Sequence, residues 1–344
     1  MPFYKIGTIG GTPDAFISQE LFELYKKSYN YPHKGEVMIT CAGTVGKAIV
    51  FNGKDSYFQD SNIVWISNPT SYLSNDFLYY FINRVDWSKL NSTTITRIYN
   101  DDLRNLRIAF PSIKEQKKIA QFLSLLEQKI AVQSKLIEQL QSLMGGLMVA
   151  HYAKCIKKTV QIKDLGHYFT VMNLSKEELA DDGKPCVIYG ELFTTYHCTI
   201  RDVKSKTLAS TDLTLSQSND LIFPSSTTVD ALSLIAPSAI TLDNIVLGGD
   251  MFGIHVNDDF NNVYLAYLFN YILKHKLAQY AQGSTIIHLH YNDICKANIE
   301  VPTLNDQLKF VELADKVHQK IDSEKTLLNN FQVLKAYLLR QMFI

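Results

Sequence analysis

No apolar run in this chain is long enough, at about eighteen residues, to cross a bilayer. The opening MPFYKIGTIGG has neither the charged start nor the apolar core of an export signal, so a cytoplasmic protein with no membrane partner is expected. Cysteine is sparse and scattered. Cys41, Cys155, Cys186, Cys198 and Cys295 are odd in number and form no CxxC, a pattern that suits a reducing compartment and offers zinc no ligand cluster. Catalytic signatures are missing as well: there is no Gx-Ser-xG elbow and no HExxH. GTVGK (43–47) is no Walker loop, because Cys41 stands where the first glycine belongs and Ala48 where a serine or threonine belongs. Net charge is absent too, with 34 Lys+Arg against 34 Asp+Glu, which excludes a large basic field over the whole molecule. The balance is uneven along the chain. Residues 112–159 carry 8 basic against 3 acidic side chains, and residues 160–303 carry 9 against 16. Any grip on nucleic acid must therefore come from local patches or from a partner.

What the chain does contain is the same passage twice. TITRIYNDDLRNLRIAFPSIKEQ (94–116) and TIIHLHYNDICKANIEVPTLNDQ (285–307) coincide at an offset of 191, pairing Thr94 with Thr285, Ile95 with Ile286, Asp102 with Asp293, Ile108 with Ile299, Pro111 with Pro302 and Gln116 with Gln307. Each passage runs into a heptad stripe. The first is Ile119, Leu123, Leu126, Ile130, Gln133, Ile137, Leu140, Met144, Leu147; the same offset yields Phe310, Ala314, Val317, Ile321, Glu324, Leu328, Phe331, Lys335, Leu338. Steps alternating between four and three are a coiled-coil seam. Each covers about four heptads, on the order of 40 to 50 Å of helix. Pro111 with Ser112, and Pro302 with Thr303, mark the helix starts. Gly145 and Gly146, at about 1 kcal/mol each against alanine, predict that the first helix frays or bends there.

Upstream the repeat loosens but persists. EVMITCAGTVGKAIVF (36–51) matches DLIFPSSTTVDALSLI (220–235) by type, an apolar strand entering a small hydroxyl-rich turn and leaving into another apolar run. FLYYFI (77–82) matches YLAYLF (264–269) as an apolar helical stretch. About twenty-five residues from Val160 have no counterpart in the first copy, which reads as starting late. The order domain, helix, domain, helix predicts a mixed α+β fold: two α/β domains separated by two long helices that form an antiparallel coiled coil with pseudo-twofold symmetry. Gln133 and Glu324, the polar midpoints of the two stripes, either meet and set the register or lie snorkelled at the seam edge.

In this plan the chain resembles the specificity subunits of type I restriction-modification systems. The resemblance rests on the (I/V)xxPxxxxQ signature, written IAFPSIKEQ (108–116) and IEVPTLNDQ (299–307), on the helix endings LQSLMGGLM (140–148) and LLRQMF (338–343), and on the loops NSTTITRI (91–98) and QGSTIIHL (282–289). In the first loop Asn91-Ser92 departs from the family's glycine. The resemblance implies target-recognition domains at 1–111 and 160–302, each reading one half of a bipartite sequence in double-stranded DNA. It implies conserved helices at 112–153 and 303–344 that hold the domains apart and dock two adenine methyltransferase subunits, which use S-adenosylmethionine. A translocating endonuclease subunit joins in complete systems. No cofactor is expected on this chain. The nearest approach to the methyltransferase motif (N/D)PP(Y/F) is NPTSY (68–72), which lacks the second proline, so the chain is expected to be non-catalytic. EQK occurs at 115–117 and 127–129 on the seam helix, where such charges usually form a solvated face.

Direct readout calls for donors and acceptors at base edges and for amides or cations at phosphates. In the first domain the candidates are Gly43, Thr44, Gly46 and Lys47, which also read as a plain glycine-rich hairpin turn. Thr93, Thr94 and Arg97 form a second set, which also reads as a plain solvated loop, and Gln59 and Asn62 either reach bases or belong to an exposed polar strand face. In the second domain the matching places are Ser225, Ser226, Thr227 and Thr228, then Gly283, Ser284, Thr285 and His288. His288 and His290 could share a strand face, but no third metal ligand stands nearby and a polar contact is preferred for His288. Apolar side chains off the seam (Phe122, Leu125, Val132, Leu136, Leu143, Leu313, Leu327, Leu334) require cover from a partner. The competing readings are a coiled-coil scaffold whose two globular domains bind protein, and a free-standing methyltransferase or nuclease.

Overall fold

The computed structural model describes residues 1–58, 62–89 and 97–343. The chain divides into two compact units, Met1–Lys135 together with Lys325–Ile344, and Leu136–Glu324. Both mix strands and helices, and each takes one end of both long helices, Ile113–Lys154 and Leu304–Gln341.

In the first unit a three-stranded antiparallel sheet has Val37–Thr40 at its centre, between Ala48–Val50 and Ile63–Ile66. VMIT is apolar enough to be buried on both faces, and its side chains alternate as a strand requires. Val37 and Ile39 share a core with Phe77, Phe81 and Ile82 of the helix Asn75–Arg84, while Met38 joins Phe51, Phe58 and Ile63 on the opposite side. Ser74 caps that helix, its hydroxyl accepting from the Phe77 amide at 3.2 Å.

The second unit holds two five-stranded sheets. In one, Asp220–Pro224 lies between Ser238–Ile240 and Met251–Val256, in register from Asp220 opposite His255 to Pro224 opposite Met251. In the other, Lys184–Ile188 is central. The helix Asn262–Leu268, every residue of it buried, packs on the first sheet. The stretch that has no sequence counterpart in the first copy supplies the edge strand Gly166–Thr170. Just before it, Lys157–Gln161 pairs antiparallel with Asn298–Pro302.

Every heptad position of both stripes is buried or half-buried. Within the first unit Ile119, Ala120 and Leu123 share a core with Leu338, Leu339 and Phe343, and Lys335 pairs with Glu127 at 2.7 Å. Moving up one helix means moving down the other, so the pairing is antiparallel. Within the second unit Met144 and Met148 share a core with Phe310 and Ala314, and the His151 ring lies 5.4 Å from Phe310, so the end of the first helix meets the start of the second. Gln133 and Glu324 are both buried, the former in the first unit and the latter in the second, where Lys320 forms an ion pair with it.

Two expectations need correction. The first helix does not fray at Gly145-Gly146 but continues to Lys154. A Cβ at Gly145 would stand 2.8 Å from the Tyr271 ring, so the glycine admits that ring against the helix, and burial of Met144 and Met148 on either side outweighs the poor propensity. The charge at 127 is also no solvated face: Glu127 takes the Lys335 ion pair and accepts from the Tyr80 hydroxyl at 3.0 Å. Leu136 is half-buried, whereas the remaining off-seam apolar residues stand exposed. Among the described residues no helix is long and apolar enough to cross a membrane.

Candidate nucleic-acid interface

The repeated passage yields two matching glutamine bonds in each copy, one to a proline carbonyl and one from an N-cap amide. Gln116 is fully buried; its Nε2 donates to the Pro111 carbonyl at 2.9 Å and to the Tyr72 carbonyl at 2.7 Å, and its Oε1 accepts from the Ser74 amide at 2.9 Å. Gln307, equally buried, donates to the Pro302 carbonyl at 2.9 Å and accepts from the Asn261 amide at 2.8 Å. Ser74 and Asn261 are themselves the N-caps of the domain helices Asn75–Arg84 and Asn262–Leu268. One glutamine thus ties the root of a long helix to the start of a domain helix. Asp102 and Asp293 brace the approach identically, accepting from the Tyr99 amide at 2.7 Å and the His290 amide at 2.8 Å as capping boxes do.

The candidate loops are held by a matching bond. In the first unit the Ile98 amide donates to the Cys41 carbonyl at 2.9 Å; in the second the Leu289 amide donates to the Ser225 carbonyl at 2.9 Å. Around Cys41 the fold gathers the 43–47 turn, Asn62, whose carbonyl accepts from the Cys41 amide at 2.6 Å, and Arg97. Burial pushes the Cys41 thiol up, against a smaller opposing pull from the Arg97 guanidinium. Gly43 and Thr44 are exposed at the turn. Gly46 is buried at φ +83°, and a Cβ there would stand 2.0 Å from the Trp87 ring, so only glycine fits. Lys47 is committed in part to its own domain, its Nζ donating to the Ile9 carbonyl at 2.6 Å. Gln59, Thr93 and Thr94 lie outside the described residues.

In the second unit the two candidate loops are joined by a short antiparallel ladder, Ser226 opposite His288 and Thr227 opposite Ile287. Ser225 and Ser226 are buried, Thr227 and His288 half-buried, and Thr228, Gly283, Ser284 and Thr285 exposed. Gly283 has φ +122°, and a Cβ would fall 2.0 Å from the Ile286 carbonyl, so the tip needs glycine. The His288 and His290 rings stack 6.0 Å apart. No group of three metal-capable side chains occurs among the described residues.

Beneath these loops lies a cleft of about 670 Å³. Its walls include Ser226, Thr227, Thr228, Val229, Lys274 and Ile286, and none of its lining residues is Asp or Glu. This is notable in the acidic part of the chain. Asp230, next to it, caps the helix Ala231–Leu234 by accepting from the Ser233 amide at 2.6 Å, which holds its carboxyl below the usual range with a smaller contribution from Lys274. Burial pushes the Cys198 thiol in the cleft wall up to about 12, so it stays protonated at neutral pH. Sequence reasoning located the hydroxyl-bearing loops but missed Val229, Ile286 and Lys274. The only available signal was that Val229 and Ile286 fall inside the loops already singled out; Lys274 has none, because it reaches the cleft from a helix that belongs to neither loop.

A family model for the type I restriction modification DNA specificity domain matches residues 1–142 and again residues 157–332. Over 127 residues the chain is 48% identical to a Haemophilus influenzae protein described as a type I restriction enzyme specificity subunit. That match takes in 37% of this chain and 33% of the relative, so only about a third of the relative's length is spanned. Among solved structures, the S subunit of a type I restriction-modification system from M. genitalium is similar with a TM-score of 0.57 at 16% identity, over 97% of this chain and 86% of that one. A chain from a structure of the type I R-M system concerned with complex assembly and conformational transition is similar at 0.57 and 14% identity, over 90% and 81%. At such identities the likeness is one of fold.

Proposed function

Because the chain belongs to the family of type I restriction modification DNA specificity domains, we propose that it is the DNA-recognition subunit of such a complex, each of its two domains reading one half of a bipartite duplex target. The observation that carries this reading is the duplicated junction. Two domains are rooted by the same glutamine bonds on two helices that run antiparallel in each unit, while the loops those domains present differ in sequence. Shared roots with different loops suit two unlike half-sites at a set spacing. The exposed apolar side chains Phe122, Leu125, Val132 and Leu143 on the first helix, with Leu313, Leu327 and Leu334 on the second, support docking of two adenine methyltransferase subunits. Those subunits would bring S-adenosylmethionine and the chemistry; a translocating endonuclease subunit completes a restricting system. This chain would contribute recognition and no catalysis, with domains at 1–111 and 160–302 and helices at 112–153 and 303–344.

Methylation mapping of DNA from cells with and without the gene tests the proposal. The expected result is loss of a single bipartite adenine motif. Identical motif sets in both strains would overturn it. Methylation or cleavage by the purified chain alone would favour a free-standing enzyme. Failure of the chain with its methyltransferase to shift any duplex sequence-specifically would favour a protein-binding scaffold.

A further inference from the structure

Two exposed aliphatic side chains of the second unit stand at the mouth of one cleft. Val229 is 72% exposed and Ile286 49%, and both line the acid-free cleft beneath the candidate loops. Their backbone is built rather than loose. The loops are laddered at Thr227 opposite Ile287, the Val229 amide donates to the Thr227 hydroxyl at 3.2 Å, and the 282–288 turn closes with paired backbone bonds between Gln282 and His288 at 2.9 and 2.7 Å. Leaving aliphatic surface in water is unfavourable, so two such side chains held by ordered loops at one cleft mark a place for an occupant. The repeat supplies a control. Val45 occupies the position of Val229 in the first copy, yet it is half-buried and packs against the core of its own unit. A valine at this point of the plan is therefore not bare by necessity.

The surroundings select the occupant. Thr227 and Thr228 supply hydroxyls, Lys274 supplies a cation, and no carboxylate lines the cleft, so the site suits a polyanion with polar edges. On the major-groove edges of a DNA duplex the apolar feature is the C5-methyl of thymine. We propose that Val229 and Ile286 read thymine methyl groups in the half-site taken by the second unit, with Thr228 at a base edge and Lys274 at a flanking phosphate. This rests on the reading of the chain as a DNA-specificity subunit and adds the chemistry of one half of its target.

The test uses the chain assembled with its methyltransferase and a duplex bearing the bipartite site found by methylation mapping. Each thymine on either strand of both halves is replaced in turn by deoxyuridine, which removes the methyl and keeps the pairing. One or two replacements, all in one half, are expected to weaken binding about fourfold each. Val229→Ala and Ile286→Ala should each lose a similar factor on the thymine duplex and become indifferent to the matching uridine. Their response to substitutions in the other half should equal that of the unaltered chain, which shows that the variants are folded and assembled. The inference is overturned if the responsive half contains no thymine, if uridine has no effect, or if the variants lose the same factor on thymine and uridine duplexes, as a side chain wedged between base steps would. Variants that bind DNA normally but lose the methyltransferase would assign the patch to protein contact and overturn it too. Absence of any motif in the mapping would remove the recognition reading and this inference with it, whereas a motif without methyl dependence removes this inference alone.

Discussion

At the root of each long helix a buried glutamine bonds a proline carbonyl and an N-cap amide, yet the segments leading into the two glutamines are built differently. In the second unit Asn298–Pro302 is laddered to Lys157–Gln161, and Ile299 and Val301 are fully buried. In the first unit the corresponding residues 107–111 form no strand, and Phe110 is 38% exposed. Gln116 nevertheless bonds the Pro111 carbonyl at the same 2.9 Å that Gln307 keeps to Pro302. The clamp is therefore local: a helix start, an amide and a proline carbonyl suffice without the ladder. A second contrast lies further along the helix. Tyr80 donates to Glu127, and at the corresponding place Tyr267 shares a hydrogen bond with His318. The seam position filled by Lys335, which pairs with Glu127 in the first unit, is filled in the second by buried Met144. One plan thus carries different side chains, an acid paired with a cation in the first unit and, at the corresponding positions of the second, a histidine and a methionine.

The largest expected effect comes from removing the clamps. Gln116→Ala and Gln307→Ala should each destabilise the local junction by about 3 kcal/mol, because buried partners lose their bonds. Amide hydrogen exchange across Asn75–Arg84 and Asn262–Leu268 reads the two effects separately. Equal acceleration supports a ladder-independent clamp; a much smaller effect at Gln307 would show that the ladder secures the second junction.

Exchanging the chemistries sharpens the second contrast. Lys335→Met leaves Glu127 without its cation, and because both side chains are about a third exposed the loss should be about 1 kcal/mol. Adding Glu127→His imports the arrangement of the second unit and should recover that loss, as read from the thermal midpoint. A double variant no better than the single one would break the equivalence of the two contacts.

The smallest effect concerns the glycine pair of the first helix. Gly146 has open space around its Cβ position, so Gly146→Ala should gain somewhat under about 1 kcal/mol. Gly145→Ala meets the Tyr271 ring and should gain nothing or lose stability. Matching gains at both sites, measured by thermal unfolding, would mean that Tyr271 does not hold the helix.

Much of this was legible before any coordinates. The 191-residue offset anticipated the duplicated junction, and the alternation of four and three anticipated which side chains line the seam. These features depend on near neighbours along the chain, and near neighbours are what a sequence displays. The persistence of the helix through Gly145, the partners of Glu127 and the commitment of Lys47 to Ile9 were hidden, because each depends on a residue more than thirty positions away. The candidate loops fell between these cases: their hydroxyls were visible, but the acid-free cleft beneath them was not.

The sequence by itself determined the repeat, the helix period, the caps and the family, since all of these are written in spacing and residue type. Tertiary structure alone decided which of two equivalent valines is tucked into a core and which is offered to a ligand. It also decided that a glycine pair carries a continuous helix and that a net acidic segment opens a cleft without a carboxylate. The physical reason is that burial and electrostatic environment are properties of surfaces assembled from distant segments, and no local pattern encodes the far side of a contact.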